Sequence, residues 1–521
     1  MDYEAVIAGA GPVGLLLACE LGLAGVRTVV LERSTDSNLP TRAAGLGSRG
    51  LNMASMEAFY RRGLMEELRA SAEMWFGRPE EDCGGAEPAA GPGSRFAGHF
   101  AGIPLNGALI EYDDPEFLEK GPAAAGCLID LVSLEKVLAR RATDLGVSIR
   151  RGVTVTGFSQ TGDMVTIHNN SGTMRAGWLI GCDSGRSTVR KAGGFAFPGT
   201  APEITAYSAL VQFADPGALK PGWNRTAGGA YMYGPGPNRV LVVEFKGPPA
   251  DRDTAVTIEE LQASLRRVSG TDVTISEVTA TTRFTDNARQ ATSYRMGRVL
   301  LAGDAAHVHS PFGGQGMNLG LGDAMNLGWK LASVVKGWTT EDLLDTYTAE
   351  RHPIGAWALE WTRAQIALMR PEAHARAMGE ITKDLIATRA GATYFAKRIA
   401  GVWQRYDLGS GHPLVGKSAP DLAFEDGTRL GTYLRPGRAV LFRWGSLSSR
   451  SVVEERARFR LVCAACVEPP PAGALLVRPD GLIAWAGDGD GDGLAAALGK
   501  WVGAAAETAV VQGTLCTSGV A

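Results

Sequence analysis

The sequence predicts an α/β protein: a Rossmann-type dinucleotide-binding fold with an inserted antiparallel sheet and a further C-terminal domain. Three observations predict this fold class. Residues 3–32 read as strand, glycine-rich loop, helix, strand and acid; residues 297–330 read as strand, glycine-rich loop and helix; residues 195–290 read as short alternating strands. The first two patterns indicate a doubly wound parallel sheet, and the third indicates an antiparallel sheet inserted into it.

The first glycine-rich loop follows a short apolar strand, YEAVIA, and has the pattern GxGxxG. Gly9 permits a tight turn, Gly11 lets the backbone approach a pyrophosphate, and Gly14 lets the next helix pack on the strand. Pro12 and Val13 complete the loop. These residues therefore form a candidate binding loop for a dinucleotide cofactor.

The acid that completes this motif is Glu32, which ends the second strand 18 residues after Gly14. A carboxylate here accepts hydrogen bonds from both hydroxyls of an adenosine ribose, which favours FAD or NAD over NADP. Arg33, beside it, either contacts the adenine or is solvated. The glycine motif alone does not distinguish FAD from NAD.

The second glycine-rich segment makes that distinction. An apolar strand at 299–302 runs into Gly303 and Asp304, and the loop at 311–316 leads into a helix near Met317. The N-terminus of this helix presents N–H groups and the positive end of its dipole to a ligand above the loop. Reduced flavin carries negative charge around N1 and C2=O, so the segment indicates FAD.

Three motifs together resemble those of a known family. They are residues 9–14 with Glu32, the segment WLIGCDSGRSTVR at 178–190, and residues 303–316 followed by LDTYTAERHP at 344–353. The chain is similar to the FAD-dependent aromatic hydroxylases of the p-hydroxybenzoate hydroxylase type. Among these it most resembles the larger bacterial enzymes that oxygenate phenols, aromatic polyketides and polyaromatic antibiotics.

The resemblance implies a set of cofactor contacts. Asp304 is expected to bind the ribityl O3′ of FAD. Arg42 is expected to contact the flavin side of the cofactor, with a solvated loop arginine as the alternative. Gly316, Met317 and Asn318 are expected over the N1–O2 edge of the isoalloxazine ring.

The resemblance also implies residues near the substrate. Pro311 is expected on the substrate side of the flavin with its carbonyl facing a bound phenol, so Pro311 and Arg42 are the candidate catalytic residues. Asp183 and Arg190 help relatives to fold over FAD and NAD(P)H, and a structural turn is an equal alternative. Where relatives have Asp-Gly this chain has Ser184, which holds the turn only with negative φ or with backbone strain.

A second departure concerns a glutamine that bonds the flavin phosphates in many relatives. The matching residue, four before Glu135, is Leu131, which has no polar side-chain group. Asp130 beside it is a poor partner for phosphate. We therefore expect FAD to bind with one fewer side-chain contact at Leu131.

The activity that the resemblance implies is FAD-dependent monooxygenation. NAD(P)H reduces FAD, O₂ adds at C4a, and the hydroperoxide gives its terminal oxygen to a phenolic or polycyclic aromatic ring. Baeyer–Villiger oxygenation, oxidative inactivation of an aromatic antibiotic and a non-oxygenating flavoprotein remain alternatives. The sequence has no second strand–GxGxxG–helix unit, which implies transient binding of NADPH or NADH at the outer face.

Composition limits the remaining functions. The 521 residues carry a net charge of −3 without a basic run, so nucleic-acid binding is not expected. No apolar stretch reaches the roughly 18 residues of a membrane helix, and a strand from Tyr3 leaves no room for a signal peptide. Seven scattered cysteines favour a reducing cytoplasm. A monomer or homodimer that binds a polycyclic aromatic small molecule is expected.

The patterns divide the chain into an FAD-binding domain at 1–180 and 285–355, a substrate-binding sheet domain at 181–284, a helical connector at 356–405 and a C-terminal domain at 406–521. The hairpin ALLVRPDGLIAWAG in the last domain is similar to that of the thioredoxin-like domain of related hydroxylases. No thiol–disulfide activity is expected there.

Some weaker motifs have structural alternatives. Tyr231 and Phe245 are candidates for the lining of the substrate pocket, and ordinary core is the alternative. Cys463 and Cys466 form a CxxC pattern in or after a late strand rather than at a helix start, which predicts buried, inert cysteines. The acidic run at 488–493 lacks the closing carboxylate of a calcium loop and predicts a solvated turn.

Overall fold

The computed structural model describes residues 1–36, 38, 41–43, 45–77, 96–215, 217–234, 238–251, 254–444, 452–455, 459–487 and 493–503. These residues form helices together with mixed and antiparallel sheets, which confirms the predicted α/β fold class. Of the acidic run at 488–493, only Gly493 lies within the described residues.

The strands and helices follow in chain order. The strands are β1 Tyr3–Ala8, β2 Thr28–Glu32, β3 Ser48–Leu51, β4 Met74–Gly77, β5 Phe96–Phe100, β6 Ile103–Asn106, β7 Ala125–Asp130, β8 Ser148–Arg151, β9 Val155–Gln160, β10 Val165–Asn169, β11 Gly172–Gly181, β12 Gly199–Thr200, β13 Thr205–Phe213, β14 Gly222–Thr226, β15 Gly229–Tyr233, β16 Arg239–Glu244, β17 Ile275–Phe284, β18 Ala288–Gln290, β19 Arg295–Met296, β20 Val299–Leu301, β21 His307–Val308, β22 Ala439–Trp444, β23 Val452–Glu455, β24 Phe459–Ala464, β25 Ala474–Val477 and β26 Ile483–Gly487. The α-helices are α1 Pro12–Leu23, α2 Met53–Tyr60, α3 Met65–Ser71, α4 Pro115–Leu118, α5 Leu131–Asp144, α6 Thr188–Ala192, α7 Ile258–Ser269, α8 Gln315–Val335, α9 Asp342–Met369, α10 Ala373–Ile386, α11 Arg389–Ala400, α12 Leu430–Tyr433 and α13 Leu494–Val502, with 3₁₀ turns at Gly107–Leu109, Gly121–Ala123 and Gly303–Ala305.

The central sheet has the strand order β19-β20-β11-β1-β2-β8. Strand β1 lies in its middle and runs parallel to β11 and β2, while β20 is parallel to β11 and β8 to β2. Val6 and Ile7 are fully buried, as expected of a parallel strand that is covered on both faces. The antiparallel strands β9 and β10 extend this sheet beside β11.

A second sheet, β14-β15-β16-β13-β17, is antiparallel and covered on one face by α7. Tyr207, Tyr231 and Val242 are buried on this face against Leu261 and Leu265 of the helix. The packing of Tyr231 supports the alternative that this residue belongs to the core. Alternation along β15 determines only that neighbouring side chains face opposite ways, and packing against α7 selects the face of Tyr231.

The opposite face of this sheet meets the second glycine-rich loop. Ala206, Leu241 and Val243 lie on this face, in one apolar cluster with Phe312, and the half-buried Phe245 packs against the same cluster. Phe245 thus lies on the same side of the sheet as Phe312, and its role in lining a substrate pocket stays a prediction. We name this surface the inner face of the antiparallel sheet.

The C-terminal sheet has the order β23-β24-β22-β25-β26, with β22 and β24 parallel and the other pairs antiparallel. Cys463 is buried within β24, and Cys466 follows this strand. Burial raises the pKa of the Cys466 thiol to about 11. A raised pKa disfavours the thiolate that redox chemistry needs, so the geometry agrees with the interpretation of CxxC as structural.

A buried ionic cluster joins the C-terminal sheet to α8 and α9. Glu350 accepts hydrogen bonds from Arg478 at 3.0 and 2.8 Å and lies 2.9 Å from the Lys330 ammonium, and all three side chains are at most 2% exposed. Arg478 also pairs with Asp480. Burial alone would raise the pKa of Glu350, but the charges of Arg478 and Lys330 lower it to about 2.

Replacement of Glu350 by Gln should destabilise the protein by about 3–5 kcal/mol, because it leaves buried cations without a compensating charge. The depressed pKa has a second consequence. The carboxylate contributes stability above the unfolded pKa of about 4.3, and this contribution disappears as the pH falls towards 2.

Urea denaturation at pH 7 and at lower pH measures both effects. The control is Glu380→Gln, which removes an exposed i,i+3 pair with Lys383 at 3.4 Å and should leave stability unchanged. Equal stability of the two variants would contradict the assignment of Glu350.

Candidate functional site

The glycines of the first glycine-rich loop differ in the space around them: two pack against protein backbone, and one faces open space. A Cβ on Gly9, which has φ +106°, would lie 2.4 Å from the Cys182 carbonyl oxygen, and a Cβ on Gly14 would lie 2.1 Å from the Gly9 carbonyl oxygen. A Cβ on Gly11 would meet nothing within 4 Å. Gly9 and Gly14 therefore serve the turn and the packing of α1, whereas the backbone at Gly11 is open to a ligand.

The N-terminus of α1 is also open. The helix begins at Pro12 after Gly11, and no side chain caps it. Such a terminus presents free N–H groups and the positive end of the helix dipole, which suits a pyrophosphate. Val13 packs against Gly303, whose added Cβ would lie 3.1 Å from it, and so keeps this loop beside the second glycine-rich segment.

Glu32 lies at the end of β2, next to this loop. Its Oε2 accepts a hydrogen bond from the Ala10 N–H at 2.8 Å, and its Oε1 accepts one from the Ser34 N–H at 2.9 Å. The two bonds fix the carboxylate at the edge of the loop, where an adenosine ribose is expected. Arg33 is exposed beside it.

Asp304 lies in the 3₁₀ turn that follows β20. The surrounding protein raises the pKa of its carboxyl, with the charges of His307 and Arg49 acting against this, yet its side chain remains accessible to solvent. A solvent-exposed acceptor in this turn fits the ribityl hydroxyl that the family resemblance assigns to it.

Helix α8 has a second uncapped N-terminus. Its N-cap, Gly314, has φ +64°, and an added Cβ would meet nothing within 4 Å. Gly316 and Met317 follow in the first turn and are half-buried. The N–H groups and the positive dipole end at this terminus suit a negatively charged ligand.

The side chain of Asn318 is occupied by protein contacts. Its Oδ1 accepts hydrogen bonds from the Asn52 N–H at 3.0 Å and the Ser55 hydroxyl at 2.7 Å, and its Nδ2 donates to the Gly50 and Gly314 carbonyls at 2.8 and 2.9 Å. It therefore joins α8 to β3 and α2. Any contact of this residue with a cofactor would come from its backbone.

Arg42 is paired with a carboxylate that the sequence interpretation did not include. Its guanidinium donates to Glu135 of α5, and burial raises the pKa of Glu135 to about 7 although Arg42 lowers it. An acid on the otherwise apolar buried face of α5 was the available signal. Asp130 caps this helix through the Ser133 N–H at 3.0 Å, and the half-buried Leu131 is its first residue.

Aromatic side chains surround the loop on the inner face of the sheet. Phe312 is buried with its ring centroid 6.0 Å from those of Trp223 and Phe284, and Gln365 donates to its carbonyl at 3.2 Å. Pro311 beside it is exposed. The half-buried Phe245 lies in the same cluster, so a flat apolar ligand above Pro311 would meet an aromatic wall.

The second motif supports this region structurally. Asp183 accepts hydrogen bonds from the Thr188 and Val189 N–H groups at 2.7 and 3.1 Å, and so caps α6. Arg190 donates to the Ala305 carbonyl at 2.9 Å and thereby braces the turn that carries Asp304. These contacts support the structural alternative for both residues.

Asp323, a buried acid of α8, organises the second segment from behind. It accepts hydrogen bonds from the Gly303 N–H at 3.0 Å and the Arg351 Nε at 2.7 Å, and it lies 2.7 Å from His307 Nε2. Its residue type in a buried helix was the signal for this role. His307 is thus engaged structurally, and the described residues contain no group of three potential metal ligands that could hold an ion.

Comparison with known proteins gives consistent matches. A family model described as an FAD binding domain matches residues 2–362, and one described as the C-terminal domain of aromatic-ring hydroxylases matches residues 412–505. A monooxygenase of Claviceps purpurea is 40% identical over 96% of this chain and 97% of its own length.

Two solved structures are similar over almost their whole length. An anhydrotetracycline hydroxylase from Streptomyces rimosus superposes with a TM-score of 0.81 at 36% identity, covering 96% of this chain and 99% of that one. A Diels–Alderase of pyrroindomycin biosynthesis superposes with a TM-score of 0.79 at 35% identity, covering 96% and 100%. Within the described residues, no helix is long and apolar enough to cross a membrane.

Substitution of two glycines should separate cofactor binding from folding. Gly11→Ala should leave the melting temperature close to that of the original protein and weaken FAD binding at least about tenfold, because the methyl group occupies ligand space. Gly14→Ala should destabilise the fold, since its Cβ would collide with the Gly9 carbonyl. Thermal unfolding and FAD titration measure the two effects. Undiminished FAD affinity in Gly11→Ala would contradict the assignment.

Ser184→Gly should stabilise the protein. Ser184 has φ +71°, so the turn is held with backbone strain and not with a negative φ. Glycine removes the strain of a left-handed backbone conformation but loses more conformational entropy on folding. The difference predicts that the free energy of unfolding rises by about 1 kcal/mol. Ser187→Ala, which removes the cap on the Arg190 N–H at 2.9 Å, should instead cost about 1 kcal/mol. Chemical denaturation distinguishes these signs, and a loss of stability in Ser184→Gly would refute the strain.

Proposed function

The chain belongs to the FAD-binding aromatic-ring hydroxylases, and we propose that this FAD-dependent monooxygenase uses NAD(P)H and O₂ to hydroxylate a phenolic or polycyclic aromatic substrate, such as an aromatic polyketide. The observation that carries the proposal is the placement of open polar groups. The uncapped N-terminus of α8 follows directly after Phe312 of the aromatic wall. The uncapped N-terminus of α1 is held beside the turn of the exposed Asp304 by Val13, which packs on Gly303.

The chain's own residues suit the cofactor. The open backbone at Gly11 and the first turn of α1 would hold the pyrophosphate, Glu32 the adenosine ribose and Asp304 the ribityl chain. The N-terminus of α8 would lie against the flavin ring. When bound, FAD supplies hydride acceptance and oxygen activation.

The protein must orient the aromatic ring and exclude water. We propose that the wall formed by Phe312, Trp223 and Phe284 holds the ring flat. The Pro311 carbonyl would accept the hydrogen bond of a substrate hydroxyl, which increases electron density on the ring. Arg42 would contact the cofactor when its guanidinium is released in part from Glu135.

A location in the cytoplasm belongs to the same proposal, since a reducing compartment suits the seven cysteines. Baeyer–Villiger insertion and inactivation of an aromatic antibiotic would use the same groups. A non-oxidative reaction is the second candidate function, because the pyrroindomycin Diels–Alderase shares this fold over its full length.

The purified protein should be yellow and should oxidise NADPH or NADH faster when a polycyclic phenol is added under air. The product should be heavier by one oxygen atom in mass spectrometry. The matched control is Asp304→Ala, which should fold but bind no flavin and therefore show no stimulated oxidation of NADPH or NADH. A protein that takes up no FAD would overturn the cofactor assignment. Substrate conversion without NAD(P)H consumption would instead support the second candidate.

A further inference from the structure

Arg239 begins β16 on the inner face of the antiparallel sheet. Side chains alternate along a strand, so Arg239 shares the face of Leu241 and Val243. It is the register partner of Leu210 on β13, whose side chain would lie 3.3 Å from a Cβ on Gly45. Arg239 therefore lies where the sheet meets the segment that carries Arg42 and Arg49.

Arg49 reaches the same place from β3. Its Nη1 donates to the Leu46 and Ser48 carbonyls at 3.0 and 2.9 Å, which fixes the guanidinium. Burial lowers the pKa of Arg49, the charges of Arg239 and Arg42 lower it further, and that of Asp304 raises it. The three arginines thus repel one another next to the residue expected to bind the ribityl chain.

These cations are incompletely compensated. Arg42 is paired with Glu135, and Glu73 acts on Arg239, but the Nε atoms of Arg42 and Arg239 are buried and have no hydrogen-bond partner among the described residues. A buried donor without a partner is costly unless a ligand supplies one. Guanidinium groups in this situation are suited to phosphate and carboxylate, which they bind in a fork-like geometry.

The position of the three arginines determines which ligands can reach them. Glu73 is exposed, so the cluster is close to solvent. Val243 lies four positions after Arg239 on β16, or about 13 Å along a strand, and it belongs to the cluster with Phe312. An anionic group at the arginines can therefore belong to a molecule whose other end lies at the aromatic wall.

We propose that Arg49 and Arg239 form an oxyanion-binding site at the solvent edge of the flavin cleft. The site takes a phosphate of the nicotinamide cofactor or an acidic group of the aromatic substrate, which share this chemistry. The inference rests on the proposed function for the identity of these two ligands. The chain has no second glycine-loop unit for a dinucleotide, so side chains must neutralise a second set of phosphates.

The test uses the FAD-loaded protein with Arg239→Met, Arg49→Met and Arg239→Lys. Inorganic pyrophosphate, titrated by calorimetry, should bind the original protein and bind either methionine variant at least about tenfold more weakly, with partial recovery in the lysine variant. Arg140→Met is the control, because Arg140 is exposed and pairs only with Glu67 at 2.6 Å among the contacts described.

Two further measurements identify the source of the anion. The phenol used is the one that most stimulates NAD(P)H oxidation by the unsubstituted protein. A raised KM for NADPH with unchanged affinity for this phenol assigns the site to the nicotinamide cofactor, and the reverse result assigns it to the substrate. Unchanged binding of pyrophosphate, NADPH and phenol, or loss of FAD from the variants, would overturn the proposal. Failure of the proposed function is distinct, since it would show as no flavin or no stimulated NAD(P)H oxidation in the unsubstituted protein.

Discussion

The hydrogen bonds to the carboxylate of Asp323 are the interactions on which the second glycine-rich segment depends. This carboxylate is fully buried, and its charge is stabilised by three hydrogen-bond donors: the Gly303 N–H, His307 and Arg351. Burial alone would raise the pKa of Asp323, but His307 and Arg351 hold it below its usual value. Because this carboxylate lies on α8 and bonds the end of β20, it fixes the distance between the Asp304 turn and the helix N-terminus.

The same constraint extends to the C-terminal domain through neighbouring residues of α9. Arg351 donates to the Leu319 carbonyl and the Tyr406 hydroxyl, both at 2.8 Å, whereas Glu350 accepts from Arg478. One turn of α9 therefore joins α8 to the C-terminal sheet. This connection gives the C-terminal domain a structural contribution that requires no reactive cysteine.

The sequence was most informative where backbone geometry demands a particular residue. Gly9 and Gly14 are required by contacts with neighbouring backbone, so the motif predicts their turn and packing directly. The face of Tyr231 was not predictable, because alternation fixes relative directions and only α7 determines which face is covered. Arg49 was missed for a similar reason, since its cluster forms only when β3 and β16 come together.

Ligand-facing groups differ from structural ones in whether the protein already satisfies them. Asn318 and Asp183 are polar residues in the expected motifs, yet their side chains are occupied by backbone and hydroxyl partners. Asp304 remains open to solvent, and Arg239 keeps a buried donor without a described partner. The solvent-exposed carboxylate of Asp304 can accept hydrogen bonds from ligand hydroxyls in place of water. An unsatisfied buried donor costs stability, so the retention of Arg239 supports the oxyanion site that we propose.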